Sequence, residues 1–384
     1  MSNIESLGLS LGEERYGVRL EDSSFTRRIA LEIDQDPLRI DHYKKEPIIQ
    51  QLCSERDESC LDRTKQAEIL AYGDASAFVA CPGPSLAGAA IREMADDKQK
   101  GFFFDYVKES QCTTFAAITE PGHGCDVASI QTKIEKSDSD YYHITGEKCF
   151  ISHGADGKIG IVVGRTSSGP FGITGVIVTA DDIKRGETEG TIKREFLPII
   201  GMKGTCLSSI TFRNFSVPVQ ALLGQHLRVT HRGMLPIIKT FNLMRPCVSG
   251  FVLGQAQGIV DYISSSFKSL PFSTERLLAV LNADISTARS NLYVAAVNID
   301  SNPLDSSGVS LSKAQLTHLV EHICSVLTDE LNPSLFCEHP LLLKWFRDVY
   351  GFEYMEGTTN MQKRNVYQKH LRMAPNGKLR DRTG

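Results

Sequence analysis

"TEPGHGCD", Thr119 to Asp126, stands where an apolar run, TTFAAIT (Thr113 to Thr119), meets a proline-glycine turn. Gly122 and Gly124 allow the backbone to bend tightly and expose its N–H groups, which suits a phosphate or the edge of a flat cofactor. Taken alone the stretch also fits an ordinary strand-ending turn. Its counterpart further along is GEKCFISHGA (Gly146 to Ala155), a second run ending in a hydroxyl residue, Ser152, with an aromatic, Phe150, two positions earlier. The period of two in a strand places Phe150 and Ser152 on one face. A ring beside a hydroxyl suits a heterocycle that is stacked and hydrogen-bonded; Phe150 as a core residue is the other reading.

Working outward, IGIVVGRT, FGITGVIVT and SSITFRNFSV are also short β-rich runs bounded by glycine and turn residues. In the last, Ile210, Phe212 and Asn214 alternate with Thr211, Arg213 and Phe215, with one misfit. Together these runs predict a β unit over 113–218. SDSDYYH (Ser137 to His143) carries two acids but no further ligands at calcium-loop spacing, so it reads as a hairpin turn.

The flanks differ. Over 1–112 apolar residues recur at helical spacing, as in Ile48-Ile49-Leu52-Cys53 and Ala67-Ile69-Leu70, with a break at Pro82-Gly83-Pro84. Over 219–384 helical periodicity returns. Phe251, Gln255, Ile259, Tyr262 and Ile263 lie on one face of a long segment, Arg289, Val294, Ala295 and Ala296 belong to a second, and Thr317 to Leu327 to a third. The fold class is therefore α+β in the order helical, β, helical, and 384 residues exceed what one core usually serves.

Composition narrows the function. A net charge of −4, without a basic patch, gives no electrostatic footprint for nucleic acid. Basic residues read as spread along the chain, and the last ten or so, with Lys378, Arg380 and Arg382, form a basic tail. No apolar run approaches the length of a membrane span, and the first residues carry acids where a signal peptide needs a basic flank, so a cytoplasmic protein without membrane insertion is expected. The ten cysteines show no Cys-x-x-Cys and no zinc-ligand spacing, which predicts free thiols and no metal site.

In this order these segments resemble the acyl-CoA dehydrogenase family over nearly the whole chain. There a threonine-glutamate-proline-glycine segment and a tryptophan-isoleucine-threonine segment hold FAD; here Ile118, Thr119, Gly124 and Cys125 match the first, and Phe150 and Ser152 the second. The likeness extends to LAYGDAS, PSLAGAAI, GMKGT, VPVQALLG and FNLMRP. It ends on RDVYGFEYMEGT (Arg347 to Thr358), where Glu356 matches the family's catalytic glutamate. The resemblance implies a helical domain over 1–112, a flavin-binding β-barrel or sandwich over 113–218 and a four-helix bundle over 219–384. It also implies oxidation of an acyl thioester, with Glu356 taking the α-proton while the β-hydrogen leaves as hydride to the flavin. The thioester oxygen would be held by the Glu356 N–H and a ribityl hydroxyl, in the manner of an oxyanion hole. Arg245 is a candidate to place substrate or tune Glu356, and Thr358 and Asn360 are candidate cofactor contacts. Locally, Glu356 also reads as a helix-start acid with Thr358 as the cap, and Arg245 as an interhelical ion pair.

The chain departs from the family at both adenine-end anchors of FAD. YISSSFKSLPFS has serine where the family has arginine, and ELNPSLFCEHP lacks a glycine pair; Arg276 is a candidate replacement for the lost charge. These departures point to a relative working on a carrier-protein thioester in a biosynthetic pathway, such as the hydroxymalonyl or aminomalonyl extender units of polyketide or nonribosomal peptide assembly. The alternatives are an acyl-CoA dehydrogenase of fatty acid or amino acid degradation, a flavin monooxygenase on the same fold, and a non-catalytic relative. The implied partners are the thioester, an electron acceptor and further copies of the chain, as a homodimer or homotetramer.

Overall fold

The computed structural model describes residues 14–15, 18–19, 22–55, 58–122, 124, 126–137, 140–267 and 270–373. Cys125 and the basic tail with Lys378, Arg380 and Arg382 lie outside the described residues, as do two positions of YISSSFKSLPFS. Two short paired strands, β1 (Glu14–Arg15) and β2 (Val18–Arg19), precede five helices: α1 (Asp22–Gln35), α2 (Pro47–Cys53), α3 (Cys60–Ala80), α4 (Ser85–Met94) and α5 (Asp97–Ser110). The Pro82-Gly83-Pro84 break falls between α3 and α4, as its lack of helical donors requires. Asp96 and Gln99 form a reciprocal capping box that starts α5.

The central sheet holds β3 (Thr114–Ala117), β4 (Lys133–Lys136), β5 (Tyr141–Ile151), β6 (Ile159–Arg165) and β7 (Ile173–Val178); after α6 (Ala180–Glu189) it is completed by β8 (Ile192–Phe196) and β9 (Ser208–Pro218). Strand order is β3-β6-β4-β5-β9-β8, with β7 paired to β6. Every β-rich run named above contains a strand; SDSDYYH falls between β4 and β5 and runs into β5, and its Asp138 and Ser139 lie outside the described residues. The short polar strands β4 and β8 and the helix α6 escaped the sequence reading, because KIEK and IKREF carry too few apolar residues to signal a strand. The misfit in β9 has a physical cause. Asn214 adopts φ +56 beside a register shift against β5, so Phe212 and Phe215 both point inward while Arg213 and Asn214 face solvent.

The last part contains α7 (Met234–Ser266), α8 (Phe272–Ser301) and α9 (Ser307–Glu330), then α10 (Ser334–Glu338), α11 (Pro340–Asp348) and α12 (Thr359–Met373). The helix α7 is buried on nearly every side. It crosses α3 at backbone contact: a Cβ at Gly250, Gly254 or Gly258 would meet the carbonyl oxygens of Thr64, Glu68 and Tyr72 at 2.5, 2.1 and 2.4 Å. This glycine row fuses the first and last helical parts into one core. Arg289, Val294, Ala295 and Ala296 all lie on α8, as expected, with Val294 exposed and the other three buried.

Candidate active site

Two strand ends build the first half of the site. Thr119 O accepts from Cys149 N (3.0 Å), and Ile118 O accepts from Lys148 Nζ (2.8 Å), so the TEPG turn lies beside the end of β5. Beneath them Glu120 and Lys148 form a buried ion pair at 2.8 Å. Glu120 also accepts from Thr132 N and Gln131 N. Burial pushes the Glu120 carboxyl up, but the bonds from Lys148, Thr132 and Gln131 outweigh it and hold the group below the usual carboxylate range. Burial pushes Lys148 down to about 8, against the pull of Glu120. The pair fastens one loop to the other.

Phe150 stands on this scaffold with φ +57 and 64% of its surface exposed, beside a register shift between Lys148 and Ile151. That irregularity corrects the sequence argument. The period of two does not run through Phe150, and Ser152, half-buried, lies in the turn after β5 rather than on the strand. The core reading of Phe150 fails with its exposure. Gly122 has φ +80, and a Cβ at Gly122 or Gly124 would meet nothing within 4 Å, so this turn is open on its outer side.

The turn that follows carries His153, Asp156 and, from the segment before β9, Cys206, with polar atoms within 4.8 Å of one another. Sequence spacing could not reveal the cluster. His153 Nδ1 faces Asp156 Oδ2 and Nε2 faces Val79 O, both at 3.0 Å. Two oxygen acceptors call for two N–H donors, so the ring is an imidazolium. Burial pulls its pKa down, but the Asp156 and Cys206 contacts win and raise it to about 10. With the ring protonated, His153 and Asp156 form a buried ion pair.

The second half of the site is the turn between α11 and α12. Two consecutive residues, Glu356 and Gly357, have φ of +53 and +94. A left-handed glutamate is strained and must be held by its surroundings. Gln362 Nε2 donates to Glu356 O (2.8 Å) and Gly357 O (3.2 Å), and Arg245 Nε donates to Glu356 O (3.4 Å). Lys313, fully buried on α9, donates to Glu353 O (3.0 Å), and Glu353 in turn receives Thr359 N (2.9 Å). The Glu356 N–H has no acceptor among the described residues, and its buried Oε2 has no hydrogen-bond partner. Burial raises the carboxyl to about 7, against the Arg245 and Lys313 charges. The structure thus brings Arg245 and Glu356 together. Arg245 Nη1 also donates to Asn242 Oδ1 (2.8 Å), and its guanidinium lies 5.7 Å from the centre of the Phe241 ring.

The segment 201–206 joins the halves. Thr205 O accepts from His153 N (2.9 Å), and Met202 N donates to Asp348 Oδ1 (2.7 Å) at the end of α11. Asp348 shares Lys344 with Asp74, both at 2.6 Å, and Asp74 sits at a non-helical break inside α3. Other candidates fall elsewhere. Thr358 Oγ1 accepts from Met361 N (3.4 Å), so it caps α12; Asn360 is exposed on that helix, and Arg276 is exposed near the start of α8. Lys148, Lys313 and Gln362 were missed by sequence reasoning, although a lysine inside an apolar strand end was a signal for the first.

Family models for the middle and C-terminal domains of acyl-CoA dehydrogenase match residues 115–215 and 231–371. The chain belongs to the acyl-CoA dehydrogenase family. Its members are oxidoreductases that use FAD. Among acyl-CoA dehydrogenase relatives, the probable medium-chain specific acyl-CoA dehydrogenase 2, mitochondrial, of Caenorhabditis briggsae is 26% identical over 312 residues, 79% of this chain and 74% of that one. Among solved structures, a glutaryl-coenzyme A dehydrogenase in its glutaryl-CoA complex has a TM-score of 0.78 at 17% identity, covering 95% of this chain and 98% of that one. The prolyl acyl carrier protein oxidase AnaB has a TM-score of 0.74 at 16% identity, with 91% and 98% covered. These likenesses fix the acyl-CoA dehydrogenase fold. No helix among the described residues is long and apolar enough to cross a membrane.

Proposed function

We propose that this protein dehydrogenates the Cα–Cβ bond of an acyl thioester with Glu356 as the base. The observation that carries the reading is the Glu356 carboxylate: buried at Oε2, unpartnered, and held in a left-handed turn that nothing in helix capping requires. A base works best with a pKa near the operating pH, and burial supplies that here. The free Glu356 N–H is a donor for the thioester oxygen, where negative charge develops as the α-proton leaves. Arg245 and Lys313 keep the carboxylate ionised enough to accept the proton, while Gln362 holds the turn.

The residues present fit FAD. An exposed ring at Phe150, the half-buried Ser152 hydroxyl and the turn open at Gly122 and Gly124, which Ile118 and Thr119 lead into, form a wall, a donor and an unobstructed backbone edge. When bound, FAD supplies the acceptor for the β-hydride. Cys125, Thr358, Asn360 and Arg276 are weaker contacts in this proposal, Thr358 because its hydroxyl caps a helix and Arg276 because it is solvent-exposed. The proposed unit boundaries are 112/113 and 218/219. The proposed setting is a cytoplasmic homo-oligomer that passes electrons to an external acceptor.

For the acyl carrier we propose a carrier protein in a biosynthetic pathway, with CoA as the second reading. The altered adenine-end segments and the fold likeness to a prolyl carrier-protein oxidase support the first; the acyl-CoA dehydrogenase relatives support the second. Glu356 argues against the monooxygenase alternative, whose chemistry needs no such base. The test is anaerobic bleaching of bound flavin by acyl thioesters, repeated in Glu356→Gln. Undiminished bleaching in the variant would refute the base assignment, and a protein that takes up no FAD would refute the whole reading.

A further inference from the structure

We propose that the solvent face of α12 is the docking surface for an acidic carrier protein that delivers the thioester to Glu356, an inference that rests on the dehydrogenase reading above. In a chain of net charge −4, α12 contains Lys363, Arg364, Lys369, His370 and Arg372 and not one acid. Lys369 is occupied by Asp305 and the Ser307 hydroxyl (2.9 Å). Lys363 and Arg364 are exposed and have no acidic partner among the described residues. A cation left unpaired on a molecule of net negative charge steers an acidic partner to that spot.

The face is more than a charge run. Lys363, Tyr367 and Leu371 fall at i, i+4 and i+8, so they share one stripe, and Tyr367 is 58% and Leu371 37% exposed. A tyrosine and a leucine flanked by Arg364 and Lys363 form an apolar centre with a basic rim, the composition of a protein contact. The phosphates of a free nucleotide carrier would need the cations but not the exposed ring. Beside the stripe a polar cleft of about 300 Å³ opens between α12 and the α8–α9 connection, and its one acid, Asp305, is the partner of Lys369.

Position ties this face to the chemistry. The helix α12 begins three residues after Glu356, and Gln362 on its inner side donates to the Glu356 carbonyl. At 1.5 Å per residue, Lys363 and Arg364 lie within roughly 10 Å of the helix start. A partner seated on α12 would therefore present its tethered acyl group at the mouth of the Glu356 turn.

The test compares two carriers of the same acyl group. A panel of short acyl groups is loaded on an acidic phosphopantetheinylated carrier protein and on CoA, and kcat/KM is measured for the FAD-loaded wild type and K363E/R364E. The expected result is a loss of about ten-fold or more with carrier-protein thioesters, a flattened salt dependence, and a change below about two-fold with CoA thioesters. Equal losses with both carriers would assign the face to nucleotide phosphates, and no loss with the carrier protein would make it an ordinary solvated helix; either overturns the proposal. A wild type that uses only CoA thioesters, in a Glu356-dependent manner, also overturns it while leaving the dehydrogenase reading intact. A wild type that oxidises neither overturns both. Bound flavin content and far-ultraviolet circular dichroism of the variant confirm that its fold is kept.

Discussion

Glu120 and Glu356 are glutamates of the same site with opposite surroundings. Glu120 accepts from a buried ammonium, a hydroxyl and two backbone N–H groups, and sits below the usual carboxylate range. Glu356 leaves Oε2 bare and rises to about 7. Burial acts on both; the number of donors decides between them. A carboxylate with its donors complete is inert and holds two loops together. One left short of donors is poised to take a proton, and the fold bears the cost of keeping it so.

The largest test of this contrast is rate. Glu356→Gln should lower the rate of flavin bleaching by a thioester by roughly 10²–10⁴-fold, the scale of a positioned general base, whereas Glu120→Gln should act through stability and flavin retention. Next comes stability: Lys148→Met strands the Glu120 charge, and denaturant unfolding should show a loss of about 3–5 kcal/mol. If that variant unfolds at the wild-type midpoint, the pair is not the fastener described above.

pH separates the two further. Because Glu356 has its pKa raised to about 7, its ionised form appears only as pH rises through that value, so kcat/KM should climb across the same window. Removing a nearby cation raises the pKa again. In Arg245→Gln the acid limb should move upward by on the order of one pH unit, and in Lys313→Met in the same direction. A limb that stays in place would show that neither cation acts on Glu356.

The smallest effect is again on stability. A carboxyl whose folded pKa exceeds its unfolded one favours the folded state while protonated, and that advantage is lost as pH rises from the unfolded value through about 7. Glu356→Gln should therefore gain about 1 kcal/mol over wild type at pH 8 and little at pH 5, read as the difference in thermal midpoints. A gain equal at both pH values would mean that Glu356 does not titrate in this range.

Much of this was legible in the residues. The apolar runs of β5, β6, β7 and β9 marked the sheet because alternation and turn residues are local properties. The Pro82-Gly83-Pro84 break marked the α3–α4 boundary for the same reason. The charged strands β4 and β8 were silent, since their pairing comes from neighbours and not from their own side chains. Glu356 and Arg245 were picked out by likeness of motif, and their meeting across 111 positions could not be read from spacing.

Local periodicity and ordered motifs were thus enough to place most helices and strands, the turns proposed to hold the flavin and the proposed base, because each rests on residues close in the chain. The left-handed backbone at Phe150 and Glu356, the Glu120–Lys148 fastener and the His153 imidazolium came only with the fold. Each depends on burial and on donors brought from distant segments, and it is those donors that make one glutamate a fastener and leave the other able to accept a proton.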